Sequence, residues 1–153
     1  MVSRFVERGG LWVLAQMPLM VATIAVAPWL GSLAPVPVAV VGAAMWAGGI
    51  ALVVWSRKTL ARSFTPFPKP VDGGNQVSSG PYGVVRHPIY SAVVLCLAGW
   101  AVMWQSPAAG TLVAILAVLL DFKARREEAW LASAYPDYAE YRRRVRKFIP
   151  LIY

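Results

Sequence analysis

A chain of 153 residues has room for one domain, and a composition of 58% hydrophobic against 14% charged residues excludes an ordinary soluble one, where about a quarter of positions carry charge. With a mean hydropathy of +0.55, the composition predicts an all-α integral membrane protein, read as a single membrane domain over residues 1–153. The net charge of +8 does not signal nucleic acid here, because the basic residues are sorted by topology and no folded basic module surrounds them.

Four apolar segments follow one another: Leu11–Leu30, Val36–Trp55, Ile89–Gln105 and Ala108–Phe122. About 20 apolar residues are needed to cross the hydrocarbon. The first two satisfy this, and the last two are shorter, joined at Ser106-Pro107 as a tight helical hairpin. The connections at Gly31–Pro35 and Ser106–Pro107 contain no Lys or Arg, so all 15 basic residues fall on one side of a four-helix arrangement. The positive-inside rule then predicts an inner-membrane protein with both termini in the cytoplasm. Ala25-Val26-Ala27 resembles a signal-cleavage site. Pro28, the length of the apolar run and the need for an even number of spans argue against cleavage.

Residues 56–88 form the one long polar connection. Thr65-Pro66-Phe67-Pro68-Lys69-Pro70 cannot be helical through its prolines, and Asp72-Gly73-Gly74-Asn75 has a turn composition. A connection of this length is expected to be an ordered binding loop. The fourth helix is expected to run on past Leu120 into the cytoplasm until Pro136 breaks it. Trp130, Tyr135, Tyr138 and Tyr141 are then expected at the membrane interface. The run Arg142-Arg143-Arg144-Val145-Arg146-Lys147 is expected to attract anionic lipid head groups.

Few residues are suited to chemistry. The single cysteine, Cys96, lies in an apolar run with no second cysteine or nearby histidine, and reads as core packing. Glu127 and Glu128 are adjacent, so on a helix they point about 100° apart. One is expected to face solvent, pairing with Lys123, Arg125 or Arg126, while the other turns toward the polar loop. His87, the only histidine, precedes Pro88, which suits extended backbone at 87 and the first turn of a helix at 88. The free N–H groups of that helix start can hold an anion beside Arg86. No carboxylate or cysteine stands at ligand spacing from His87, so no metal is expected. There is no phosphate loop, no dinucleotide fingerprint and no Ser-His-Asp pattern.

Gly80-Pro81-Tyr82 and Arg86-His87-Pro88-Ile89-Tyr90, followed by Glu127-Glu128-x-x-Leu131, Tyr138-x-x-Tyr141 and Phe148-Ile149-Pro150, resemble the isoprenylcysteine carboxyl methyltransferase family, which shares its C-terminal signature with phospholipid N-methyltransferases. The likeness covers roughly residues 60–151. It implies a membrane enzyme that uses S-adenosylmethionine, held by Gly74, Asn75, Gln76 and Val77, by Tyr82, by His87, Pro88, Ile89 and Tyr90, and by Glu127 as the acidic contact. Aromatic faces suit a sulfonium as they do other cations. The family's substrate-holding arginine is replaced here by Lys123, which keeps the charge and loses the fork geometry.

The sequence therefore predicts methyl transfer to a lipophilic or lipidated acceptor entering from the bilayer at the cytoplasmic face, with Arg86 and Lys123 orienting that acceptor. A carboxylate acceptor is one expectation; a phospholipid or small-lipophile amine is the alternative. A reductase-like relative using NADPH, or a non-catalytic membrane protein, is the reading from another class.

Overall fold

The computed structural model describes residues 2–69 and 75–153. It is all-helical apart from turns and one isolated bridge. A short helix α1 (Val2–Glu7) precedes α2 (Gly10–Leu30), α3 (Val36–Leu60), α4 (Pro88–Met103), α5 (Pro107–Ala134) and α6 (Tyr138–Arg144). α2, α3 and α5 are long and apolar enough to cross a membrane. α4 has 16 residues, about 24 Å of helix against a hydrocarbon thickness of about 30 Å. It is the most enclosed of the apolar helices, with six of its residues buried.

α2 runs unbroken through Pro18 and Pro28, as helices in lipid can when neighbours satisfy the freed carbonyls. Ala27, inside that helix, is fully buried against Ala101 and Ala109. α3 outlasts the expected end at Trp55: no helix breaker stands before Pro66, and Arg57 and Lys58 occupy its last turn, where positive charge suits the helix dipole. A 3-10 turn (Ala61–Ser63) extends it further, so the polar connection is shorter than the expected 56–88.

The hairpin at Ser106-Pro107 forms as expected. The Ser106 hydroxyl accepts a hydrogen bond from Ala109 N at 3.3 Å and so caps α5. The facing turn is tied to it, with Ser32 N and Ala34 N donating to the carbonyls of Trp104 and Met103, both at 2.9 Å. The main apolar core joins Leu97 of α4 to Val113, Leu116 and Leu120 of α5, with Leu19 and Met20 of α2 packed on it. α3 meets α4 through glycines: a Cβ on Gly42 would stand 2.7 Å from the Gly99 carbonyl. Cys96 is buried in the same seam, its thiol 3.4 Å from the Trp46 carbonyl.

α5 is one helix from Pro107 to Ala134 and ends before Pro136, as its sequence predicts. α6 then turns the chain back so that the tail crosses the start of α4. Val85 and Arg146 form a parallel bridge. Arg86 N donates to the Arg146 carbonyl at 2.7 Å and His87 N to the Lys147 carbonyl at 3.1 Å.

Candidate active site

The site grows from the turn before α4. Gly80 opens a 3-10 turn (Gly80–Gly83) with φ +58°, a left-handed conformation that favours glycine. The turn buries Tyr82 and aims its carbonyl at the Tyr141 hydroxyl, which donates to it at 2.6 Å. Pro88 starts α4, as its fixed φ favours. One turn along, the Tyr90 ring stacks on His87, with centroids 5.3 Å apart and planes 2° from parallel.

α5 brings both adjacent glutamates to this turn, where the sequence predicts that one faces solvent. Glu128 is buried. Its Oε1 accepts from Arg86 Nε at 2.9 Å and lies 3.0 Å from His87 Nε2. Arg86 also donates through Nη1 to the Arg142 carbonyl at 3.2 Å and to the Val145 carbonyl. Fork donors, carboxylate and tail carbonyls thus form one clasp, the kind of buried polar group that only a full set of partners makes tolerable. No carboxylate stands at ligand spacing from His87 in the sequence, and the fold supplies Glu128 from 41 positions away. The anion beside Arg86 at the start of α4 is the protein's own. Glu127 keeps 26% side-chain exposure and accepts from the Tyr90 hydroxyl at 2.6 Å.

Neither glutamate pairs with Lys123, Arg125 or Arg126. Arg125 binds Asp121 at 2.7 Å. Lys123 is 1% exposed, and its ammonium donates to Gln16 Oε1 at 2.7 Å and to the Pro66 carbonyl at 3.2 Å. It also stands 5.1 Å from the centre of the Tyr90 ring.

These groups line a cavity of about 220 Å³. Asn75, Gln76, Val77, Tyr82, Arg86, His87, Ile89, Tyr90, Lys123 and Glu127 all reach it. Pro88 is buried beside it without lining it, and Gly74, with the rest of 70–74, lies outside the described residues. Gln16, Met20, Phe64, Leu131, Tyr135, Tyr138 and Tyr141 also line it and are absent from the sequence-derived set.

Tyr138 and Tyr141 correct the interfacial expectation: they are 2% and 5% exposed, because α6 folds back over the site. Their spacing of one helical turn, opposite the Gly80-Pro81-Tyr82 turn, is the signal that carried this. Burial, together with the Glu127 carboxylate, raises the Tyr82 phenol above its ordinary range. Burial does the same for Tyr138, helped by Glu128, and pushes Tyr141 up to about 12. All three are therefore neutral hydroxyls at any physiological pH. Lys147 also departs from the expected basic run, since it is buried in an ion pair with Asp121.

A second, apolar groove of about 850 Å³ opens between α3, α4, α5 and the tail, lined by residues such as Leu52, Val94, Leu95, Val118 and Phe148. Tyr90 and Leu120 line both spaces. The polar cavity and the groove therefore share a wall.

A family model described as phospholipid methyltransferase matches residues 38–138. The cobalt-zinc-cadmium resistance protein CzcN of Cupriavidus metallidurans is 45% identical over 76 residues, 48% of this chain. The nickel-cobalt-cadmium resistance protein NccN of Alcaligenes xylosoxydans xylosoxydans is 29% identical over 75 residues, also 48% of this chain. Each match spans only 35% of the relative's own length. The matched family and the one that the motifs resemble are one group of membrane methyltransferases.

Proposed function

Because the chain belongs to the phospholipid methyltransferase family, we propose that it transfers a methyl group from S-adenosylmethionine to a lipophilic acceptor drawn from the bilayer. The observation that carries this reading is the pairing of two spaces across Tyr90 and Leu120, one aromatic and charged, the other apolar. The residues of the first fit the methyl donor: tyrosine faces attract a cation, and Glu127 offers a carboxylate for polar groups. S-adenosylmethionine, when bound, supplies an electrophilic methyl group on a sulfonium.

The protein's own part is positioning, which is enough for a direct displacement. Asn75, Gln76, Val77, Tyr82, His87, Ile89, Tyr90 and Glu127 form the donor's side of the cavity. Pro88 acts from beneath by setting the start of α4. Arg86 is held through Nε by Glu128 and through Nη1 by the Arg142 and Val145 carbonyls, so it positions the turn that presents His87. Lys123, buried and without an ion pair among the described residues, orients an anionic acceptor such as a carboxylate. The groove holds the acceptor's hydrocarbon part and opens toward lipid. Segregation of the basic residues supports an inner-membrane location with both termini and the site facing the cytoplasm. The exposed arginines of α6 lie against anionic head groups.

The test is methyl-labelled S-adenosylmethionine added to purified protein with lipid extract, beside labelled NADPH. Label should enter the lipid fraction and be released as methanol by mild base, the mark of a methyl ester. Base-stable label would assign an amine acceptor, which the matched family's description favours. Binding of NADPH without methyl transfer would overturn the proposal.

A further inference from the structure

The tyrosines around the polar cavity differ in what their hydroxyls do. Tyr90 donates to Glu127 and Tyr141 to the Tyr82 carbonyl, each at 2.6 Å. Tyr138 is 2% exposed, more deeply buried than either Tyr82 or Tyr141. Yet its hydroxyl has no hydrogen-bond partner among the described residues. A buried phenol left unpaired is destabilising, and such groups in folded proteins call for an explanation.

The surroundings say what kind of group would complete it. Tyr138 lines the cavity, and Arg86, Glu127 and Glu128 are near enough to act on its ionisation. Met20, Leu60, Val93 and Leu120 give the cavity an apolar part as well. A methyl donor of the S-adenosylmethionine type carries its charges at one end, in an α-ammonium and a carboxylate. Glu128 does not line the cavity; its Oε1 is taken by Arg86 and His87, and its Oε2 stands 3.7 Å from Arg142 Nε. Arg86 is held by Glu128 and by two tail carbonyls. The groups left to be completed are therefore the partly exposed Glu127 carboxylate and the buried, unpartnered Tyr138 hydroxyl.

We propose that Tyr138 is a donor-binding residue, its hydroxyl accepting a hydrogen bond from the α-ammonium group of the methyl donor beside Glu127. The inference rests on the cavity being the methyl-donor site. It assigns the amino-acid end of the donor to α6 and the tyrosine-lined remainder to the nucleoside.

Two ligands separate the possibilities: S-adenosylhomocysteine, which keeps the amino-acid end, and 5′-methylthioadenosine, which lacks it. Calorimetry on the full chain in detergent, with wild type and Tyr138→Phe, should show S-adenosylhomocysteine weakened about tenfold by the substitution, as a lost hydrogen bond to a charged group implies. Binding of 5′-methylthioadenosine should be unchanged. The ligand-free variant should melt at the same temperature as wild type or higher, because an unpaired buried hydroxyl contributes nothing to the empty protein. Equal loss for both ligands, or no loss for either, would overturn the assignment. A lower melting temperature with unchanged affinity would show that the hydroxyl serves the fold, and would overturn it too. If wild type binds neither ligand, the reading of the cavity fails first and the role of Tyr138 with it. Binding by wild type with a silent Tyr138→Phe removes only the latter.

Discussion

Where α3 crosses α4 the contact is made of backbone and small residues: Gly42, Gly49 and Gly99 let the helices approach until a single added Cβ would meet a carbonyl or a neighbouring amide. At the amino-terminal end of α4 the contact is made of charge, with Arg86, His87 and Glu128 enclosed by the tail. The difference follows from the solvent outside each. Lipid is as apolar as leucine, so burying apolar area against it gains little, and close approach has to hold the helices. α2 and α3 accordingly leave most of their large side chains outward, with only 17% and 11% of their apolar windows buried. At the clasp, charges are removed from water and remain tolerable only as a complete set.

Substitutions break these two regions unequally. Glu128→Ala strands the Arg86 guanidinium and should cost about 3–5 kcal/mol, read as a large fall in melting temperature in detergent together with loss of methyl transfer. A variant as stable as wild type would mean that the clasp is decoration. Gly99→Leu forces α3 and α4 apart, since even its Cβ would lie 2.7 Å from Trp46 N. Overpacking of this kind costs about 1–3 kcal/mol, and the loss should appear as lowered thermal stability with donor affinity kept in the surviving folded fraction.

Glu127→Gln should reverse that pattern. Donor affinity should fall at least tenfold, as loss of a charged hydrogen bond of about 1.5–3 kcal/mol implies, with little change in melting temperature. Glu128→Gln should chiefly lower stability, so the two adjacent positions separate binding from folding. The smallest effect belongs to the exposed pair of Glu140 and Arg144 on α6, 3.6 Å apart and 61% and 70% exposed. Glu140→Ala should shift stability by less than about 0.5 kcal/mol, within the error of a denaturation curve.

Much of this was legible in the chain. Runs of apolar residues placed the four helices, Ser106-Pro107 placed the hairpin, and Pro136 ended α5. The motif blocks named less than half of the cavity wall, the part carried by Tyr82, Arg86, His87, Ile89, Tyr90 and Glu127, whose places are fixed by local geometry. The fate of Glu128 was hidden. Helical rotation separates it from Glu127, but only the return of the tail, 59 positions from Arg86, encloses it. Tyr138, Tyr141 and Lys147 were misplaced for the same reason, since aromatic and basic residues near a helix end read as interfacial until a second element covers them. Gln16 escaped notice because nothing local marks a glutamine in α2 as the partner of Lys123, 107 positions away.

The parallel bridge between Val85 and Arg146 also orders events in time. During synthesis the helices can enter the bilayer as they emerge, each satisfying its own backbone. The turn at 85–87 waits for the tail, because the carbonyls that receive Arg86 N and His87 N belong to residues translated about sixty positions later. Translation thus delivers the helices before the clasp around Arg86 and His87 can close. The segment at 146–147 acts as a timer, and a product interrupted before it would keep its helices while lacking the partners that give Arg86 and His87 their direction.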